Sequence, residues 1–249
     1  MSEEKELQEI PPKPIETTDN EPEKKRPSRL LPFLQGVQRY SSYTFSAFLT
    51  LHGVSVVAMP LISPEVGNYT VNFTGSVYQE QLIEPFLVYG ALGAHVASGI
   101  VLRLRSTYLY YKQHDRLPKR PSNLAISGYM IGPLVLGHIL ATRWMPVWEL
   151  GDSSIINLDF IAHTLHKLPI STSIALITLV GGVSYHVING WRRWLGAHSS
   201  KAAFRGCIAI AASTIAGAIS IIRINSLPEN FGWVANQFDQ VLRSLYIPV

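Results

Sequence analysis

The chain has 249 residues, 47% hydrophobic and 15% charged, with a formal net charge of +4 and one cysteine, Cys207. A soluble domain carries about 25% charged residues; here 15 of the 38 charged residues fall in the first 40, so the rest is poor enough in charge to sit in lipid. A single cysteine excludes an intrachain disulfide and a multi-cysteine metal site, and basic residues gathered at the ends of apolar segments, without interleaved aromatics, exclude a nucleic-acid partner.

Residues 1–30 read as disordered, being rich in Glu, Lys, Pro and Thr with few large apolar groups to offset ordering entropy. The first 25 residues hold eight acids and no apolar run, unlike a secretory signal or an arginine-rich matrix-targeting peptide. Targeting is therefore expected from the helices. Five apolar segments follow, at about Tyr43–Ile62, Pro85–Tyr110, Leu124–Trp144, Leu168–Leu195 and Ala202–Ile224. Each satisfies the roughly 20 helical residues that a hydrocarbon core about 30 Å thick requires. Runs this long are helices, since barrel strands need only about 9–11 alternating residues. The predicted fold class is an all-α membrane protein. A disordered tail (1–40) leads into a five-helix transmembrane bundle (41–226) and an amphipathic C-terminal segment (227–249). In that last segment Val234, Phe238, Val241, Leu242 and Leu245 recur at near-helical spacing, which predicts a helix lying on the bilayer or capping the bundle.

Charge orients the spans. The tail and the second-to-third and fourth-to-fifth connections hold 17 Lys and Arg, against four on the opposite side. The positive-inside bias predicts a cytosolic N-terminus. Asn68-Tyr69-Thr70 and Asn72-Phe73-Thr74 form glycosylation sequons in the loop on the opposite side, relevant only if that side is the ER lumen.

The most informative pattern is an internal repeat. Leu51-His52-Gly53 is followed by Met59-Pro60, and Gly137-His138-Ile139 by Met145-Pro146. His95-Val96-x-x-Gly99 is matched by His186-Val187-x-x-Gly190. Spans one and two thus recur as three and four, in the manner of parallel repeats related by an axis along the membrane normal. This predicts His52 and His138 at one depth and His95 and His186 at another. Ring nitrogens inside a bilayer turn inward to partners. Two readings stand: bis-histidine ligation of two b-type haems, with Gly99 and Gly190 admitting a flat macrocycle and cytosolic arginines pairing its propionates; or histidines that bond across helices, with glycines that let the helices pack. His163 and His166 lack the further ligands of a zinc site, so no metal is expected beyond haem iron.

The four histidines, in this order on five helices, resemble the cytochrome b membrane anchors of succinate dehydrogenase and fumarate reductase. The nearer resemblance covers almost the whole chain. Tyr40-Ser41-Ser42-Tyr43, Phe48 to His52-Gly53, Met59-Pro60 and the His186-to-Trp194 stretch are similar to the fungal mitochondrial outer-membrane family named for complementing mitochondrial distribution mutants. That resemblance implies a multi-pass outer-membrane protein with a cytosolic N-terminus, acting in lipid homeostasis. It also implies recruitment of the bridge-like lipid-transfer protein of the vacuolar protein sorting class through a tail motif, apolar-x-x-apolar-x-Pro-x-Pro. Leu7, Ile10, Pro12 and Pro14 fill that motif here. A disordered peptide with two apolar anchors and spaced prolines suits a sheet edge or groove, because proline lowers the ordering cost. The leading expectation is a non-enzymatic adaptor at membrane contact sites. The alternatives are a di-haem electron carrier or a lipid scramblase, the latter suggested by the small-residue stripe Gly206, Ala209, Ser213, Ala216 and Ser220 on the fifth span.

Overall fold

The computed structural model describes residues 29–118, 120–245 and 247. The described residues form helices and turns without a strand. Five helical segments are long and apolar enough to cross a membrane: Leu30–Leu61, Pro85–His114, Asn123–Leu150, Pro169–Trp194 and Ser200–Ile224. Their cores are α1 (Leu30–Gly53), α3 (Ala91–His114), α4 (Asn123–Ile139), α7 (Pro169–Trp194) and α8 (Ser200–Ile224).

The first helix starts at Leu30 rather than near Tyr43, inside the stretch assigned to the tail. Leu34, Gln38, Ser41, Phe45, Phe48, His52 and Ser55 recur at three- and four-residue intervals along its less exposed face. That stripe carries the helix beyond its purely apolar portion. Serine oxygens cap two of the later spans: Ser122 accepts from the Ala125 N–H at 3.2 Å, and Ser199 from the Ala202 N–H at 3.2 Å.

The repeat is visible in the backbone. A π-helical turn, Val54–Ala58, begins two residues after His52, and another, Leu140–Trp144, two residues after His138. Each runs into Met-Pro, with Pro60 or Pro146 at the start of the next turn. Proline has no N–H for the α-helical ladder, and widening the preceding turn relieves the mismatch. A third π turn, Pro85–Gly90, leads into α3.

Short helices build a layer where the less basic connections gather: α2 (Pro64–Tyr78), α5 (Met145–Leu150), α6 (Leu158–Lys167) and α9 (Gly232–Ser244). The segment holding the sequons is thus helix α2, capped by Ser63 on the Val66 N–H. Asn68 is used structurally: its amide donates to Asp159 at 2.8 Å and its oxygen accepts from the Leu158 N–H at 2.9 Å. Gly67 sits where an added Cβ would lie 2.8 Å from both Leu158 and Pro60, so the Leu158 side chain of α6 and the Pro60 ring at the end of the first span rest directly on the α2 backbone. The fully buried core lies in this layer. Leu158, Ala162 and Leu165 pack on Ile221, Ile224 and Leu227, while Phe160 packs on Phe238, Val241 and Leu242. The amphipathic C-terminal helix therefore caps the bundle through three of the five residues that marked it.

Within the membrane domain α1 lies along α3, α4 along α7, and α7 along α8. Between the α1–α3 and α4–α7 pairs, close backbone approaches are few. The stripe on α8 is partly spent in packing: Gly206 lies against Arg192, and the Ser220 hydroxyl donates to the Val57 carbonyl at 2.6 Å.

Candidate functional site

The four histidines occupy four different helices, His52 on α1, His95 on α3, His138 on α4 and His186 on α7. The structure brings them together in the expected pairs. The rings of His52 and His138 have centroids 5.9 Å apart at 60°, and those of His95 and His186 are 6.1 Å apart at 86°. Each pair therefore spans the gap between the α1–α3 and α4–α7 hairpins.

The lower-numbered ends of α1 and α4 orient the second pair. The Nδ1–H of His95 donates to the Gln38 carbonyl at 3.3 Å. Nδ1 of His186 lies 3.0 Å from the Ser127 hydroxyl, whose own hydrogen goes to the Leu124 carbonyl at 2.8 Å. Ser127 therefore accepts from His186 Nδ1–H. Both rings then carry the lone pair on Nε2. Gly128 makes room for this: a Cβ there would stand 3.1 Å from His186 Cε1. Trp191, one turn and a residue further along α7, stacks on Tyr43 at 4.8 Å and donates its indole N–H to Ser46 at 3.1 Å, which ties α7 to α1.

The first pair is held differently. Phe48 stacks on His52 at 5.4 Å, and Nδ1 of His52 stands 3.5 Å from the Tyr78 hydroxyl of α2. Burial raises the Tyr78 phenol above the ordinary tyrosine range. His138 makes no side-chain hydrogen bond to any described residue.

Gly190, one turn beyond His186, fronts open space, since an added Cβ meets nothing within 4 Å; a Cβ on Gly99 would stand 3.0 Å from the Gln38 side chain. Of the arginines expected at that level, Arg192 bonds Asn189 at 2.8 Å and rests on Gly206, with its buried Nε unpartnered. The motif residues Leu7, Ile10, Pro12 and Pro14 lie outside the described residues.

Two polar clusters in the opposite layer escaped the sequence reading. Arg143 and Glu84 form a two-pronged ion pair at 2.8 and 2.7 Å, with Ser153 also accepting from Arg143 and Tyr89 donating to Glu84. It ties the start of the second span to the π turn of the third. His163, beside Phe238, pairs with Asp239 of α9 at 2.7 Å, while its buried Nδ1 has no partner. Asp159, one turn before His163 on α6, serves Asn68 instead. Partners 59 and 76 residues apart leave no local pattern to read.

Residues 133–227 match the family model described as MDM10-complementing protein 1, transmembrane domain. The expected family resemblance is shown. The MCP1 match starts at Pro133 inside α4 and runs through α8, so it covers the second copy of the repeat, with His138 and His186. Beyond it, the chain is 22% identical over 295 aligned positions to the Mitochondrial adapter protein MCP1 of Saccharomyces cerevisiae, covering 96% of this chain and 97% of that relative. No solved structure matches the chain, so the likeness to cytochrome b anchors rests on histidine order alone.

Proposed function

We propose that this protein is a non-enzymatic adaptor of the mitochondrial outer membrane. Its five-span bundle anchors a cytosolic tail, and that tail captures a bridge-like lipid-transfer protein of the vacuolar protein sorting class at contact sites. The observation that carries the reading is similarity along almost the entire chain to a protein named a mitochondrial adapter. The tail supports the capture step. Leu7, Ile10, Pro12 and Pro14 supply two apolar anchors and a spaced proline pair, and an extended peptide of that kind adds to a sheet edge or groove at low ordering cost. The 17 Lys and Arg on the tail side of the bundle favour the cytosol for it. The test replaces Pro12 and Pro14 by alanine in the full chain and images the lipid-transfer protein in cells. Recruitment is expected to disappear while the variant stays in the membrane; recruitment at the wild-type level refutes the reading.

A further inference from the structure

The His95 and His186 rings stand 6.1 Å apart, centroid to centroid. A direct hydrogen bond of about 2.9 Å between imidazole nitrogens puts ring centroids roughly 5.2 Å apart. A metal about 2.0 Å from each of two facing nitrogens puts them roughly 6.3 Å apart. The observed separation is 6.1 Å, and no hydrogen bond joins the rings. The Nδ1 side of each ring is already committed, to the Gln38 carbonyl and to the Ser127 hydroxyl. Metal-bound histidines characteristically show such an outer bond, which fixes the tautomer and aims Nε2 at the metal.

The donor set selects the class of metal group. Among the described residues no cluster of three or more His, Cys, Asp or Glu gathers. A bare zinc ion needs three or four protein ligands. A tetrapyrrole brings its own four equatorial nitrogens and asks only for axial partners. Space agrees with this. The α1–α3 and α4–α7 pairs have few close backbone approaches between them, Gly190, one turn beyond His186 on the same face, fronts open space, and at Gly99 only the far end of the flexible Gln38 side chain stands close.

We propose that His95 and His186 are the two axial ligands, through Nε2, of an iron tetrapyrrole of the haem class lying between the two helix pairs, with Gln38 and Ser127 as positioning residues. The His52–His138 pair has a similar ring spacing, but only the 3.5 Å approach of Tyr78 orients it. The assignment is therefore confined to one of the two levels at which the sequence placed haem.

The full chain, purified in detergent, is titrated with haemin and followed by absorption and by electron paramagnetic resonance. A low-spin six-coordinate spectrum is expected, diminished in both His95→Ala and His186→Ala and unchanged in His114→Ala, whose ring is exposed on α3. Variants that elute as the wild type are the ones compared. Ser127→Ala keeps both ligands and is expected to weaken haemin binding about 10- to 100-fold. Ring planes 86° apart call for the highly anisotropic low-spin ferric signal of crossed imidazoles in the wild-type-minus-His95→Ala difference. Absence of a low-spin species, undiminished intensity in either histidine variant, or a difference signal of the parallel-plane type overturns the assignment.

Discussion

Replacing Phe238 by alanine tests whether α9 is a docked part of the fold. Phe238 is 1% exposed, and its neighbours Val241 and Leu242 are equally sealed. The ring meets Phe160 edge-on at 5.3 Å and His163 at 5.5 Å. Truncating a buried phenylalanine costs about 3–5 kcal/mol through lost transfer energy and the cavity left behind, and the aromatic pairing adds about 0.5–1.5 kcal/mol. Besides this apolar contact α9 is held by Asp239 on His163 and by Gln240 on Glu149 and is too short to span a bilayer, so the loss falls first on docking rather than on the bundle. At 1.4 kcal/mol per factor of ten, a loss of about 3.5–6.5 kcal/mol raises the undocked population about 300- to 40,000-fold. A reporter Val241→Cys, buried when α9 is docked, measures this by thiol labelling with Cys207 replaced by serine. Labelling should accelerate by that factor with Phe238→Ala. Trp233→Ala, at a position 67% exposed, should leave it unchanged. Equal labelling rates with and without the Phe238 ring would refute the view that this contact holds the helix.

The Glu84–Arg143 pair is partly buried, at 14% and 22% side-chain exposure, so Glu84→Gln is expected to cost about 2–4 kcal/mol by stranding the guanidinium. Arg143→Met in the same chain should recover part of that loss, which a double-variant cycle of unfolding free energies would measure. Between α7 and α8, a Cβ on Gly217 would stand 2.8 Å from Val180 Cγ1, and valine has little rotamer freedom with which to yield. Gly217→Ala should destabilise by about 1–2 kcal/mol, overpacking outweighing the gain in helix propensity. At Gly132 an added Cβ meets nothing, so Gly132→Ala should be neutral or stabilising by up to about 1 kcal/mol in the same thermal assay.

The spans were legible because lipid imposes a length and a composition that few other elements satisfy. The layer beside them was not. The buried face of α2 is Pro64, Gly67, Thr74, Gly75 and Tyr78, mostly small or polar, while Tyr69 and Phe73 point outward at 77% and 71% exposure. A hydropathy reading inverts such a helix. In α6 only ten residues carry the pattern, too few to separate from a loop. The histidine pairing was legible for a different reason: duplication wrote it twice, and a copied motif reports symmetry without any knowledge of contacts. What orients the rings was hidden. Gln38 acts through its backbone carbonyl, which every residue possesses, and Ser127 is one of two serines near its end of α4, the other being the cap Ser122.

Anchoring a tail demands only apolar helices of sufficient length, and the four histidines are surplus to that demand. Ring nitrogens in a bilayer interior carry a desolvation cost unless they find partners. The simplest remedy, one imidazole bonding the other across the gap, is not the one adopted: both pairs stand nearer the spacing of a bridged pair than that of a direct bond. Helix packing accounts for part of it, since His95 bonds the Gln38 carbonyl between α3 and α1 and His186 bonds Ser127 between α7 and α4, while the tie between α1 and α7 is made by Tyr43, Ser46 and Trp191. Exchanging His95 and His186 for leucine would cost a pure anchor those two interhelical bonds. The bonds that Gln38 and Ser127 make to those two rings occupy Nδ1 and leave Nε2 of each ring without a hydrogen-bond partner among the described residues, the feature that the proposed axial ligation accounts for and packing alone does not.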